Sequence, residues 1–378
     1  MLDIDIEQIN SPSERTFQPD RNDKSGRTAL KVANAPAGAT YRWSAQPDAV
    51  QFIAPNAPAT SMRAGRPGVS TVRVEVRDPK TGESGTATTW IGVPQFVVVH
   101  EYTGAYPAHR KAGAFSAWFE TVLREYRLDG ERDFILQQAQ AVAEFLLREA
   151  NVRMIWELAP FSEPLPAQFQ SGNFAEHLYT RLNLAGFPPV TRQNSAGAVE
   201  PIAVDQIGIT DRPPGVRRAQ GVIEIYPGAI DSGNSVVART AVIVRDAAFR
   251  ARNALAADPA NARLQQEFER LHDLWREIVA RMIGVAIAHE IHHLLLAGAP
   301  GLDKDGHTAL PEIDLLSPGN QLSIKEWTGI GVPDPFSGKF PNAGTYTDAG
   351  FDGLAVINDR NRAMVEVMFA VPPAHPFE

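Results

Sequence analysis

The residues best suited to chemistry are His289, Glu290 and His293, in Ala286-Ile-Ala-His-Glu-Ile-His-His-Leu-Leu-Leu296. His289 and His293 are one helical turn apart, so on a helix their imidazoles lie one above the other on the same face. Two imidazoles so placed can take two corners of a tetrahedral zinc site. Glu290 is rotated about 100° from His289. It can sit beside a metal without binding it, close enough to take a proton from a water held there. The surrounding residues are apolar, and polar groups against such a background are costly unless they are used.

A catalytic zinc needs three protein ligands and one open position. The chain has no cysteine, so thiolate ligands and disulfides are excluded and a metal must use His, Asp or Glu. His307, in Leu302-Asp-Lys-Asp-Gly-His-Thr308, is the first candidate for the third ligand. Gly298 and Pro300 stop the helix after His293, and the loop that follows is long enough to fold back. Glu312 or Glu326 would instead make a two-His-one-Glu site, and Asp303, Asp305 and Asp348 are the remaining alternatives. His292 flanks the ligand face and is expected to be half-exposed. Asp303-x-Asp305-Gly reads as a solvated turn rather than a calcium cage. Tyr346 is an oxyanion donor in type only, since nothing in the sequence positions it. His100, His109, His177, His272 and His375 lack partner spacing and read as structural or surface residues.

The element that must carry the motif is a helical pattern over 259–297. Leu264, Phe268, Leu271, Leu274, Ile278, Met282, Val285 and Ile287 form its apolar face. Asp258 is the expected N-cap and Pro259 the first helical residue. A helix of roughly 60 Å at about 1.5 Å per residue is long for this chain, so a bend is expected near Gly284.

The 378 residues suffice for two domains. Residues 1–94 read as an all-β sandwich. Alternating runs Ala29–Ala33, Thr40–Ser44, Val50–Ile53, Ser70–Arg77 and Thr86–Val93 are separated by Pro, Gly, Asn and Asp clusters. Residues 95–378 read as a mixed α+β unit. It has a buried strand at Phe96–Tyr102, amphipathic helices near 111–127 and 131–150, and a strand at Val152–Leu158. A helix at 173–183, strands at Ile202–Val204 and Gly221–Tyr226, the long helix and a last helix at 355–370 follow.

The net charge of -8, with no block dense in Lys and Arg, argues against nucleic acid as a partner. The acidic start Met1–Glu7 lacks the basic-then-apolar order of a Sec signal. No apolar run approaches the roughly 18 residues of a membrane span. The expectation is a protein without a membrane partner, exported without a classical signal or else cytoplasmic.

The stretch 285–318 resembles a metzincin-type zinc metalloprotease. Three features depart from that pattern. His292 stands where the family has Gly, Leu296 and Ala299 replace its Gly and His continuation, and Leu315-Leu316-Ser317-Pro318 occupies the place of its Met-turn. The resemblance implies a zincin-type catalytic domain in which His289, His293 and His307 bind Zn2+ and Glu290 is general base. It also implies a protein or peptide substrate and Val222–Tyr226 as the edge strand lining the cleft. Tyr41-x-Trp43 and Gly68-x-Ser-Thr-Val-x-Val-x-Val-x-Asp78 resemble bacterial immunoglobulin-like or PKD-like modules, which implies a spacer or a docking surface for a partner. The alternatives to a zinc endopeptidase are a secretion-system cargo or structural protein with a vestigial metal site, and an amidase acting on peptidoglycan.

Overall fold

The computed structural model describes residues 2–8, 28–46, 50–64, 68–101, 119–148, 150, 152–156, 179–188, 191–193, 198–203, 206–211, 222–232, 236–296, 302, 307–308, 314–317, 322–331, 347–356, 359 and 361. Helices and strands are mixed, and the strands form several sheets, as an α+β reading expects.

The N-terminal part contains two antiparallel sheets. One joins β1 (Asp5–Gln8), β2 (Thr28–Ala33), β4 (Val50–Phe52) and β5 (Ala59–Ala64) in the order β1-β2-β5-β4. The other joins β3 (Thr40–Gln46), β6 (Gly68–Arg77) and β7 (Ser84–Val93). Alternation fixes their faces: Val72, Val74 and Val76 are buried while Arg73 and Glu75 between them are exposed. Trp43 sits in this core, and its indole N–H donates to the Ala57 carbonyl at 2.9 Å.

A five-stranded sheet follows, in the order β13-β14-β10-β8-β9. Its strands are β8 (Gln95–Glu101), β9 (Val152–Trp156), β10 (Tyr179–Leu184), β13 (Gly208–Asp211) and β14 (Val222–Ile225). β8, β9, β10 and β14 pair in parallel, and β13 runs antiparallel along the β14 edge. β8 is buried along its whole length, which explains its near-continuous apolar run. Its residues alternate between two cores. Phe96 and Val98 pack with Trp43 and Val74, and Val97 and Val99 pack with the helices. Short pairs β11 (Thr191–Gln193) with β12 (Val199–Pro201), and β15 (Ile330–Gly331) with β16 (Thr347–Asp348), complete the strands among the described residues.

Among the described residues the continuous α-helices are α1 (Phe119–Glu125), α2 (Arg132–Leu146), α3 (Val236–Ala257), α4 (Ala262–Leu296) and α5 (Ile324–Thr328). α4 carries the His-Glu motif. It starts three residues later than a first turn at Pro259 would place it. Asn261 caps it, its side-chain oxygen accepting from Arg263 N and Leu264 N, while Asp258 belongs to the end of α3. α4 does not break at Gly284. A Cβ there would lie 2.6 Å from the Ala139 carbonyl and 2.7 Å from Val142 Cβ. The glycine lets α2 cross close against an unbroken helix. An 18-residue window of α4 has mean hydropathy 1.3, so by length and composition alone it could cross a membrane. That departs from the expectation that no apolar run is long enough, and 94% of the window is buried inside the protein.

Other expectations are corrected. Residues 179–183 are strand rather than helix, because Thr180, Leu182 and Leu184 follow a two-residue period. Val222–Ile225 is an interior strand, with β13 as the sheet edge. Ile202 and Ala203 lie outside β12. Ala355 and Val356 are not helical, and the rest of the expected helix over 355–370 lies outside the described residues apart from Asp359 and Asn361, which are helical. Residues 111–118 of the first expected helix also lie outside them.

Candidate metal centre

The last turns of α4 are buried on nearly every side: Ile287, Ala288, Ile291, Leu294, Leu295 and Leu296 are almost wholly excluded from solvent. This packing fixes where the polar residues between them point. The side-chain nitrogens of His289, His293 and His307 offer three ligand atoms that all lie within 4.8 Å of one another. The ring centroids of His289 and His293 are 4.4 Å apart, those of His293 and His307 4.7 Å, and those of His289 and His307 5.7 Å. Two of the candidate ligand atoms therefore come from the helix and one from the segment beyond it.

His289 is oriented from behind. Its Nδ1–H donates to the Leu315 carbonyl at 2.6 Å, which leaves the Nε2 lone pair facing the other histidines. Burial lowers its pKa from 6.5 to about 4, with the neighbouring His307 and His292 acting in the same direction and the Leu315 bond and Asp314 opposing them. The ring is neutral near pH 7, the state a metal ligand needs. Nε2 of His293 lies 2.8 Å from Nε2 of His289, a hydrogen-bond distance. Two nitrogens on one tetrahedral zinc, each at about 2.0–2.1 Å, stand about 3.3 Å apart. A rearrangement of about half an ångström would convert this pair to ligands.

Among the described residues the donor set is three imidazoles without a carboxylate, and the chain has no cysteine to supply a thiolate. That suits zinc and the other borderline transition metals and does not suit calcium or magnesium, which take oxygen.

Glu290 faces β13 and is 6% exposed. Thr210 Oγ1 donates to its Oε2 at 2.6 Å and lies 2.9 Å from its main-chain carbonyl. A Cβ on Gly208 would meet Glu290 Oε1 at 2.6 Å, so only glycine lets the strand approach this closely. Nothing in the sequence analysis singled out these two residues. The period-two run Ile207-Gly-Ile-Thr210 is the signal that marks a strand there.

The remaining candidates are placed as follows. Glu326 is committed to a capping box at the start of α5, its carboxylate accepting from Ser323 N at 2.6 Å. Asp348 forms a two-bond ion pair with Arg281 at 2.8 and 2.9 Å. Neither belongs to the histidine cluster. His292 is fully buried rather than half-exposed, and its Nδ1–H donates to the Ala288 carbonyl at 2.7 Å. Burial lowers its pKa, with that bond and Asp314 opposing. His100 is buried on β8, and the His272 ring packs 5.4 Å from that of Phe268. Asp303, Asp305, Glu312, Tyr346, His109, His177 and His375 lie outside the described residues.

Residues 314–317 form a buried turn, and Leu315 and Leu316 are wholly buried. Ser317 N donates to the Asp314 carbonyl at 3.0 Å, closing the turn. Compared with known proteins, the chain matches no family model and no curated protein.

Proposed function

We propose that this protein is a zinc-dependent endopeptidase of metzincin-like type, with an immunoglobulin-like module ahead of a zincin-type catalytic unit. One observation carries the reading: three histidine nitrogens converge within 4.8 Å, and the next residue after the first of them is a buried glutamate. His289, His293 and His307 would hold the metal. A zinc ion on three imidazoles supplies a Lewis acid and brings the pKa of water in its open position toward neutrality.

The chain's own groups do the rest. Glu290 accepts the proton of the attacking water and returns it to the leaving amine. Thr210 fixes the carboxylate that carries that proton. The Leu315 carbonyl keeps His289 in the tautomer whose Nε2 is a ligand. Among the described residues β13 is an edge of the sheet and contacts Glu290, and the main-chain groups of such an edge suit an extended peptide that pairs as a further strand. That edge favours a peptide over other amides as substrate.

Metal analysis and hydrolysis of fluorescein-labelled casein test the reading together. Wild type is expected to hold one zinc per chain, and His307→Ala to lose it. Glu290→Gln should keep the zinc and lose about a hundredfold or more in rate. A Glu290→Gln protein as active as wild type would remove the base from the mechanism, and a zinc-free wild type after zinc-replete purification would remove the centre itself.

A further inference from the structure

We propose that Asn361 is a positioning residue for the metal centre, its single side-chain amide tying the segment of His307 to the turn that orients His289. This rests on the metal reading above and adds to it a residue far outside the motif.

The amide is 2% exposed. Its nitrogen donates to Thr308 Oγ1 at 3.0 Å and to Asp314 Oδ2 at 2.9 Å. Thr308 follows His307 in the chain, and its main-chain N–H donates to the Leu316 carbonyl at 3.2 Å. Asp314 is also 2% exposed. Its Oδ1 accepts from Leu316 N at 2.9 Å, and its own N–H donates to Ser317 Oγ at 2.9 Å. Between Asp314 and Leu316 lies Leu315, whose carbonyl accepts from His289 Nδ1. A continuous path therefore runs from His307 through Thr308, Asn361 and Asp314 to His289.

The chemistry of position 361 is restrictive. Two hydrogens on one neutral nitrogen satisfy two acceptors at once. A serine has one hydrogen. An aspartate would set a second carboxylate against that of Asp314, with both buried and like-charged. Leu302 and Thr308 pair as one antiparallel bridge. Side-chain bonds reaching across 53 and 47 positions of sequence tie Thr308 and Asp314 to Asn361. Groups bonded directly to metal ligands typically change affinity by about 10–100-fold when removed, and Asn361 acts through the segments that carry such groups.

The test is zinc affinity of the full chain, measured by competition with a chromophoric chelator for wild type, Asn361→Ala, Thr308→Val and the double variant. Thermal midpoints of the zinc-free proteins are read in parallel. Asn361→Ala is expected to weaken zinc about tenfold, the low end of the range for direct partners of metal ligands. Thr308→Val should weaken it less, and the double variant should be little worse than Asn361→Ala alone, because the two substitutions break one bond in common. A purely structural role would lower the midpoint and leave the affinity of the folded protein unchanged, and that result overturns the proposal. If Asn361→Ala does not fold, Thr308→Val decides: wild-type affinity there counts against the bridge. Wild type that binds zinc beside variants that bind it equally well sinks this inference alone, whereas wild type without zinc sinks the metal reading beneath it.

Discussion

Thr210 donates its hydroxyl to the carboxylate of Glu290 at 2.6 Å, across 80 positions of sequence. One proton is within reach of two acceptors on the same residue, and the charged, nearer oxygen is the stronger. With Gly208 closing on the other carboxylate oxygen, β13 forms a seat for the side chain next to the first histidine.

Thr210→Val keeps the shape of that seat and removes its donor. If Glu290 acts only as the bond breaks, kcat and kcat/KM should fall together by about tenfold, the worth of one hydrogen bond to a charged group. Zinc content should not change, and Thr210→Ser should recover most of the rate. Steady-state kinetics on one peptide substrate decide the matter. A rise in KM at constant kcat would assign Thr210 to substrate binding instead.

Gly284→Ala sets two effects against each other. Alanine is favoured over glycine within a helix by about 1 kcal/mol. Its Cβ would stand 2.6 Å from a main-chain carbonyl of α2, which cannot swing away as a side chain could. Overpacking of this kind costs about 1–3 kcal/mol, so the net effect expected is a loss of stability. Urea denaturation should show a lower midpoint with an unchanged slope. A higher midpoint would mean that α2 moves freely against α4.

Arg281 holds Asp348 below the ordinary carboxyl value of 3.8, with burial opposing and the Gly350 N–H assisting. The folded protein therefore binds this proton less readily than the unfolded chain. The stabilisation is present above about pH 4 and is lost as the pH falls further. Asp348→Asn should melt below wild type at neutral pH, and the two should converge under acid conditions. The carboxylate is half-exposed, so the gap will be modest. A gap that persists unchanged to pH 2 would show that the carboxylate's charge contributes nothing.

The sequence made the motif legible because His289, Glu290 and His293 are related by helix geometry alone, and helix geometry follows from a local apolar pattern. His307 was accessible for a related reason, since a helix stop followed by a loop histidine is visible in the order of residues. What holds these groups in place was not. The acceptor for His289 is the main-chain carbonyl of Leu315, and a carbonyl has no letter. Thr210 and Asn361 reach their partners only after distant segments meet. α3 escaped notice for another reason. Its buried stripe is Ala241, Val244, Ala248 and Ala251, and such small side chains mark an apolar face weakly. Asp258 and Pro259 have the residue types of a cap and a first helical turn, yet they lie in the turn at 258–261 that separates α3 from α4.

β8 gives its even-numbered residues to one core and its odd-numbered residues to the other. A wall shared in this way couples the two sides thermodynamically. Melting the N-terminal sheets exposes Phe96 and Val98 and loosens the strand that backs the helix layer. Losing the helices strips Val97 and Val99 and removes the floor under Trp43. The two cores are therefore coupled through β8, and a substitution in the β-rich part can lower the stability of the histidine cluster without touching any residue near it.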